Sequence, residues 1–331
     1  MSVIQRILPK EARTTAAIRR AARLIADANA VMVMAGSGMN ADSGLPCYRK
    51  PIDFWKDYPM YKRMDVRFHE IFRLCRFQDE SELAWGFYLD WYRRSKRIVP
   101  HDGFHWLQKW AAGKKHGMFV FTTNVDNQFQ AAGFDPARIK QVHGALSNIQ
   151  CIASCPASSV WPLDPLIRDL HVDRATMRVP MDRIPKCAAC GRMTRPNVLL
   201  PSEDNLWLTQ EVWHPSRRYY EWQEQCHDDP SLQMVILEIG AGNTTPVVRM
   251  EAQVALLACN DKQARARAHL IRINPVPNRE EELETVDANI DLTALRAMRR
   301  IDDLLAKQQP QEPKPPNQTA ETTLSHDEGR L

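Results

Sequence analysis

Two close pairs of thiols, Cys151-Ile152-Ala153-Ser154-Cys155 and Cys187-Ala188-Ala189-Cys190, stand on either side of a long insertion. That is the ligand spacing of a tetrahedral all-cysteine zinc ribbon, with two residues inside the second pair and three inside the first. Four thiolates leave no open position on the ion, so such a metal holds a small module together and does not act on substrate. A different chemistry is suggested where glycine and polar residues follow short apolar runs. In Ala35-Gly36-Ser37-Gly38 the glycines let backbone N–H groups approach a pyrophosphate without interference from Cβ, although a Gly-x-Gly turn also arises for steric reasons alone. In Thr122-Thr123-Asn124-Val125-Asp126 an amide and a carboxylate end another run, where they either meet a ligand or form an Asx turn capping a helix. Their position just past a buried strand favours the ligand. His143-Gly144 follows seventeen residues after Asp126, and a histidine, with its pKa near neutrality, suits the removal of a proton from a hydroxyl.

These residues need a frame. From Thr14 to Asn29 the apolar residues Ile18, Ala21, Ala22 and Ile25 recur at helical spacing, which predicts an amphipathic helix. It leads into Val31-Met32-Val33-Met34, a short run of the kind buried on both faces of a parallel sheet. Met118-Phe119-Val120-Phe121, Met234-Val235-Ile236-Leu237 and His269-Leu270-Ile271-Arg272-Ile273 are similar runs. The expected fold is therefore α/β, a Rossmann-like parallel sheet with its ligand crevice at the carboxyl ends of the strands. Gly240 and Gly242 end the third run; Asn274 ends the fourth, where it serves a ribose hydroxyl or a strand-terminating turn before Pro275.

Two insertions interrupt this pattern. Residues 50–100 carry Trp85, Tyr88, Trp91 and Tyr92 near helical spacing, which predicts a helical cap or cofactor loop whose aromatics form core more than they stack on a ligand. Residues 150–213 carry the paired cysteines and form the small zinc-ribbon module. Around them, residues 1–13 are expected to be a flexible N-terminus and 14–305 one catalytic domain. Residues 306–331, rich in Pro, Gln, Glu and Thr, are expected to be disordered, because so few apolar groups cannot offset the entropy of ordering.

Composition narrows the class. With 44% apolar and 25% charged residues the 331-residue chain is an ordinary globular one, and its net charge of +4 is spread without a basic run that would fit nucleic acid. The first twelve residues lack a signal-like apolar core, and no stretch is long enough for a membrane span, so the expectation is a cytoplasmic protein with no membrane partner. Eight cysteines in a reducing compartment then point to metal ligands, core residues or reactive thiols over disulfides, with Cys75, Cys226 and Cys259 expected to be buried.

The stretch Gly36-Ser37-Gly38-Met39-Asn40-Ala41-Asp42-Ser43-Gly44-Leu45-Pro46-Cys47-Tyr48-Arg49 resembles the first motif of the sirtuin family, G-A-G-I-S, two variable residues, then S-G-I-P-D-F-R. Gly36, Gly38, Ser43, Gly44, Pro46 and Arg49 match at identical spacing, while Cys47 stands where the family has an aspartate that helps bind the nicotinamide carboxamide. A pocket-wall role is the simpler reading of Cys47. Thr122-Thr123-Asn124-Val125-Asp126 is similar to T-Q-N-I-D, and His143-Gly144 to the family's catalytic histidine and glycine. Glu238-Ile239-Gly240-Ala241-Gly242 and Ile271-Arg272-Ile273-Asn274 are similar to the strands ending in G-T-S and I-N, and a structural zinc is also a family feature. The resemblance covers about residues 14 to 295.

What the resemblance implies is an NAD-dependent protein-lysine deacylase that releases nicotinamide and O-acyl-ADP-ribose. His143, Asn124 and Asp126 would be catalytic. Gly36, Ser37, Gly38, Arg49, Asn124, Asp126, Gly240, Gly242 and Asn274 would bind NAD, with Cys151, Cys155, Cys187 and Cys190 on zinc. The partner would be an acyl-lysine protein or an acceptor of ADP-ribose. Several segments, among them Ile184-Pro185-Lys186-Cys187 and Gly242-Asn243-Thr244-Thr245-Pro246, look closest to the macrodomain-linked bacterial and fungal branch, whose members transfer ADP-ribose to protein and generally lack the histidine. Arg195-Pro196-Asn197-Val198 starts like the family's peptide-pairing R-P-x-V-V segment but lacks the F-G-E after it. Mono-ADP-ribosyl transfer is therefore the alternative, followed by plain NAD hydrolysis and a non-catalytic NAD sensor.

Overall fold

The computed structural model describes residues 9–47, 51–156, 159–200, 204–243, 246–260, 267–276 and 285–308. Arg49, Tyr48, Pro201, Thr244, Thr245 and the tail from residue 309 lie outside the described residues.

Four apolar runs read from the sequence become the heart of one sheet: β1 (Ala30–Ala35), β2 (Gly117–Thr122), β7 (Gln233–Ile239) and β8 (Arg267–Ile273). With β3 (Ile139–Gln141) and β9 (Ala288–Ile290) they form a six-stranded sheet in the order β3-β2-β1-β7-β8-β9, every neighbour parallel. The order reverses beside β1, so the crevice opens over its carboxyl end. Alternation along β1 assigns its side chains to two cores. Val31, Val33 and Ala35 pack toward helices α1 (Lys10–Asp27), α7 (Gly103–Ala111) and α11 (Ala294–Gln308), whereas Ala30, Met32 and Met34 face α9 (Gln210–His227) and α10 (Val247–Cys259). Helix α1 begins four residues before the predicted start, and α11 runs through Gln308, past the expected edge of the tail.

The two insertions share a third core. Helices α2 (Pro51–Asp57), α3 (Pro59–Arg63), α4 (Phe68–Ile71), α5 (Leu74–Asp79) and α6 (Ser81–Arg97) pack Phe54, Tyr61, Trp85 and Phe87 against Leu146, Ile149 and Val198. The last three come from a small antiparallel sheet of β4 (Gly144–Cys151), β5 (Trp161–Pro162) and β6 (Thr194–Val198), ordered β5-β4-β6. Trp85 is fully buried and its indole N–H donates to the Thr194 carbonyl at 2.8 Å, joining helix to sheet. The aromatics are thus core, as their spacing implied, and the cap and the zinc-ribbon segment form one module. A short helix α8 (Gln128–Ala131) follows β2.

Candidate active site

At the carboxyl ends of β1 and β7 two loops touch backbone to backbone. The Gly36 and Gly38 N–H groups donate to the Ile239 and Gly240 carbonyls at 2.9 and 3.1 Å. A Cβ on Gly38 would come within 2.6 Å of the Gly240 Cα, and Gly240 itself sits at φ +63°. These three glycines answer a steric need of the fold, the simpler of the two sequence readings, and they leave Ser37 exposed at the tip. Gly242 differs, because a Cβ there would meet nothing within 4 Å.

The residues after β2 join this loop. Asn124 is buried, and its amide donates to the Gly36 carbonyl at 3.0 Å while its own carbonyl accepts from Gln141 Nε2 at 3.1 Å. Asp126 is half-buried; it accepts from the Gln128 N–H at 3.1 Å and from the Asn40 amide. The first of these bonds is the Asx turn offered as an alternative from the sequence, so one carboxylate both starts α8 and faces the loop. Burial pushes the Asp126 carboxyl up to about 6, against the pull of its two donors. Asn40 is itself buried, and its Oδ1 has no hydrogen-bond partner among the described residues, as expected where a polar ligand supplies one.

His143 lies between β3 and β4, and bonds on both sides hold its backbone to the same loop. Val142 N–H donates to the Thr122 carbonyl at 3.0 Å, and Leu146 N–H to the Val125 carbonyl at 2.8 Å. Burial holds the imidazole below its ordinary pKa, keeping it neutral and able to accept a proton. Gly144 takes φ +76°, and a Cβ would strike the Asn197 carbonyl at 2.1 Å, so His143 can be followed only by glycine here.

Other predicted residues are placed with less contact to this cluster. Asn274 is buried, donates to the Ala241 carbonyl at 2.6 Å and accepts from Val276 N–H at 3.1 Å, so the turn before Pro275 exists and braces the Gly240–Gly242 loop. The Cys47 thiol donates to the Ser37 carbonyl at 3.0 Å, at the wall of the loop. Cys226 and Cys259 are buried as expected, but Cys75 is exposed, because α5 turns that position outward.

Two positions gave no functional signal in the sequence. Asn40 is one. His101 is the other: its Nδ1 accepts from Gly103 N–H at 3.0 Å, so Nε2 must carry the proton that it donates to the Met39 carbonyl at 2.8 Å. It braces the glycine loop from behind.

The four predicted thiols do meet. The ligand atoms of Cys151, Cys155, Cys187 and Cys190 lie within 4.8 Å of one another, with Cys151–Cys190 at 3.6 Å and Cys155–Cys187 at 3.7 Å. A tetrahedral ion with zinc–sulfur bonds of about 2.3 Å needs sulfurs about 3.8 Å apart, so the set fits zinc. Burial opposes the Cys187 thiolate, but backbone N–H donors of Cys190 and Ala189 prevail and bring it down to about 7.

The sequence model of the Sir2 family matches residues 36–217, more than half of the chain. The protein is a member of the Sir2 family. Among its relatives, a probable bifunctional ADP-ribose hydrolase/ADP-ribosyltransferase of Fusarium oxysporum is 26% identical over 82% of this chain. The sirtuin chain spans only 44% of the length of that relative. An NAD-dependent protein deacylase of Methylococcus capsulatus is 29% identical, covering 75% of this chain and 82% of its own. A protein ADP-ribosyltransferase of Staphylococcus aureus is 27% identical, covering 67% and 68%. The fold matches a Sir2 homologue solved as an NAD complex with a TM-score of 0.60 at 17% identity, over 87% of this chain and 94% of that one. The sirtuin relatives are thus named for two reactions on protein, and no described helix here is long and apolar enough to cross a membrane.

Proposed function

We propose that this sirtuin is an NAD-dependent protein-lysine deacylase. The observation that carries the reading is His143, neutral and fixed by Gly144 against the loop that bears Asn124 and Asp126. NAD supplies an activated ribose carbon that the acyl oxygen of a modified lysine attacks as nicotinamide leaves. His143 accepts the proton of the ribose hydroxyl that then takes the acyl group. Asn124 and Asp126 orient the ribose and the carboxamide, the exposed Ser37 and Gly242 of the two glycine loops meet the ADP half, Gly36, Gly38, Gly240 and Asn274 hold those loops in shape, and Arg49 is a cofactor contact by its place in the family motif. Cys151, Cys155, Cys187 and Cys190 hold a structural zinc. Mass spectrometry of the products with an acyl-lysine peptide tests this: O-acyl-ADP-ribose is expected, and its absence with active, zinc-loaded protein rejects deacylation.

Protein mono-ADP-ribosylation is the second reading, and one observation favours it. Past Val198 the backbone donors are engaged internally, Leu199 N–H with the His143 carbonyl at 2.9 Å and Leu200 N–H with the Asp204 carboxylate at 3.1 Å. Asp204 is locked there by a fully buried ion pair with Arg195 at 2.7 Å, so fewer groups are left to pair an extended peptide. Label from NAD appearing on protein would establish it, and free ADP-ribose without acceptor would indicate hydrolysis.

A further inference from the structure

A second buried charge network lies under the loop that follows β7. Glu238 and Arg272 are register partners near the ends of β7 and β8, both almost wholly buried. Arg272 donates from Nη2 to the Glu238 Oε2 at 2.9 Å, while its Nε lies 2.7 Å from Oε1 as an ion-pair contact without hydrogen-bond geometry. A second arginine, Arg249 in the first turn of α10, is also buried, with Nε 3.6 Å from Glu238 Oε1. Its Nη2 donates to the Ala241 carbonyl at 3.3 Å, the same oxygen that takes the Asn274 amide at 2.6 Å. Both lone pairs of that carbonyl are therefore drawn toward the protein interior.

The peptide plane carries the consequence outward. No peptide bond among the described residues is cis, so the Ala241 carbonyl and the Gly242 N–H point in opposite directions. Holding the oxygen inward turns the Gly242 N–H toward the open side, where a Cβ at that position finds nothing within 4 Å. We infer that Arg249 is a positioning residue: through Ala241 it aims the Gly242 N–H at an acceptor oxygen of the ADP half of the dinucleotide, and Glu238 fixes the guanidinium for that task. This rests on the NAD-binding reading above and adds to it residues that never touch the ligand.

Calorimetry with ADP-ribose tests the inference. Arg249→Met leaves the Glu238–Arg272 pair balanced, so the variant is expected to keep its thermal midpoint within a few degrees and to bind ADP-ribose about 10-fold more weakly. In turnover the KM for NAD rises by a similar factor while kcat at saturating NAD holds. Because Arg249 and Asn274 serve one carbonyl, Arg249→Met and Asn274→Ala should combine to less than the product of their separate effects. Arg249→Gln, whose amide can donate without a charge, should bind more tightly than Arg249→Met, an ordering that stands even if the methionine variant folds poorly. Wild-type affinity in a folded Arg249→Met protein, fully multiplicative effects, or the reverse order of Gln and Met would overturn the inference. Failure of the wild-type protein to bind either NAD or ADP-ribose defeats the cofactor reading itself, and this inference with it.

Discussion

At the scale of single residues, the proposed chemistry is divided between His143 and Asp126. The imidazole is kept neutral by burial, which extends its base form to lower pH, while the carboxyl is pushed up to about 6. The acid limb of the rate against pH should therefore carry the Asp126 ionisation, near 6. A profile measured with an acyl-lysine peptide checks it, and an unaltered limb in Asp126→Asn would remove the assignment. His143→Ala should lower turnover by about 10²–10⁴-fold with NAD binding kept, because a positioned base contributes that much to proton transfer. Asp126 also bears on stability. Its folded pKa lies above the unfolded value near 4, so its contribution is complete below pH 4 and lost as pH rises through 6. At pH 8 the ionised group strains the fold. Asp126→Asn should raise the melting temperature there by a few degrees, with the Asn40 amide turning to offer its unpartnered Oδ1, and the gain should vanish at pH 4. A melting temperature that drops at pH 8 would contradict the burial that raises this carboxyl.

At the scale of elements, the loops at the strand ends show what a sequence can disclose. The β1, β2, β7 and β8 runs were legible because a strand buried on both faces leaves an unbroken apolar signature. The four thiols were legible because a tetrahedral ion fixes spacing along the chain. Asn40, His101 and Arg249 were not, since each acts on a backbone group or side chain that only the fold brings near, and no spacing rule marks an amide or an arginine for that role. Nor could spacing separate Gly240 from Gly242. Both end a strand, yet one touches Gly38 and the other faces open space. Gly240→Ala should therefore cost fold and cofactor binding together. Gly242→Ala should melt like wild type and bind NAD at least several-fold more weakly, since a methyl group enters only the space where the dinucleotide would lie. Calorimetry beside a thermal melt separates the two, and intact NAD affinity in Gly242→Ala would place the ligand elsewhere.

At the scale of the whole molecule, the loop proposed to be catalytic belongs to both halves of the structure. Asn124 is bonded to the glycine loop of the parallel sheet, while the next side chain, Val125, is packed into the aromatic core of the other module. Gln128 extends the tie, its amide donating to the Ser95 carbonyl at the end of α6 at 3.0 Å. That core also holds β4 and β6, and β4 ends on Cys151, one of the four clustered cysteines. A metal held there would reach the proposed chemistry through packing, although no thiolate needs to approach the substrate. Stripping zinc with a chelator should abolish deacylation in step with metal release. The near-ultraviolet dichroism of the cluster around Phe54, Tyr61, Trp85 and Phe87 should fade with it. Far-ultraviolet dichroism should fall less, because α1, α7 and α11 remain packed on the parallel sheet through a core that contains none of the module. Protein freed of metal that turns over normally would show that the loop between Asn124 and Gln128 is held by the sheet alone.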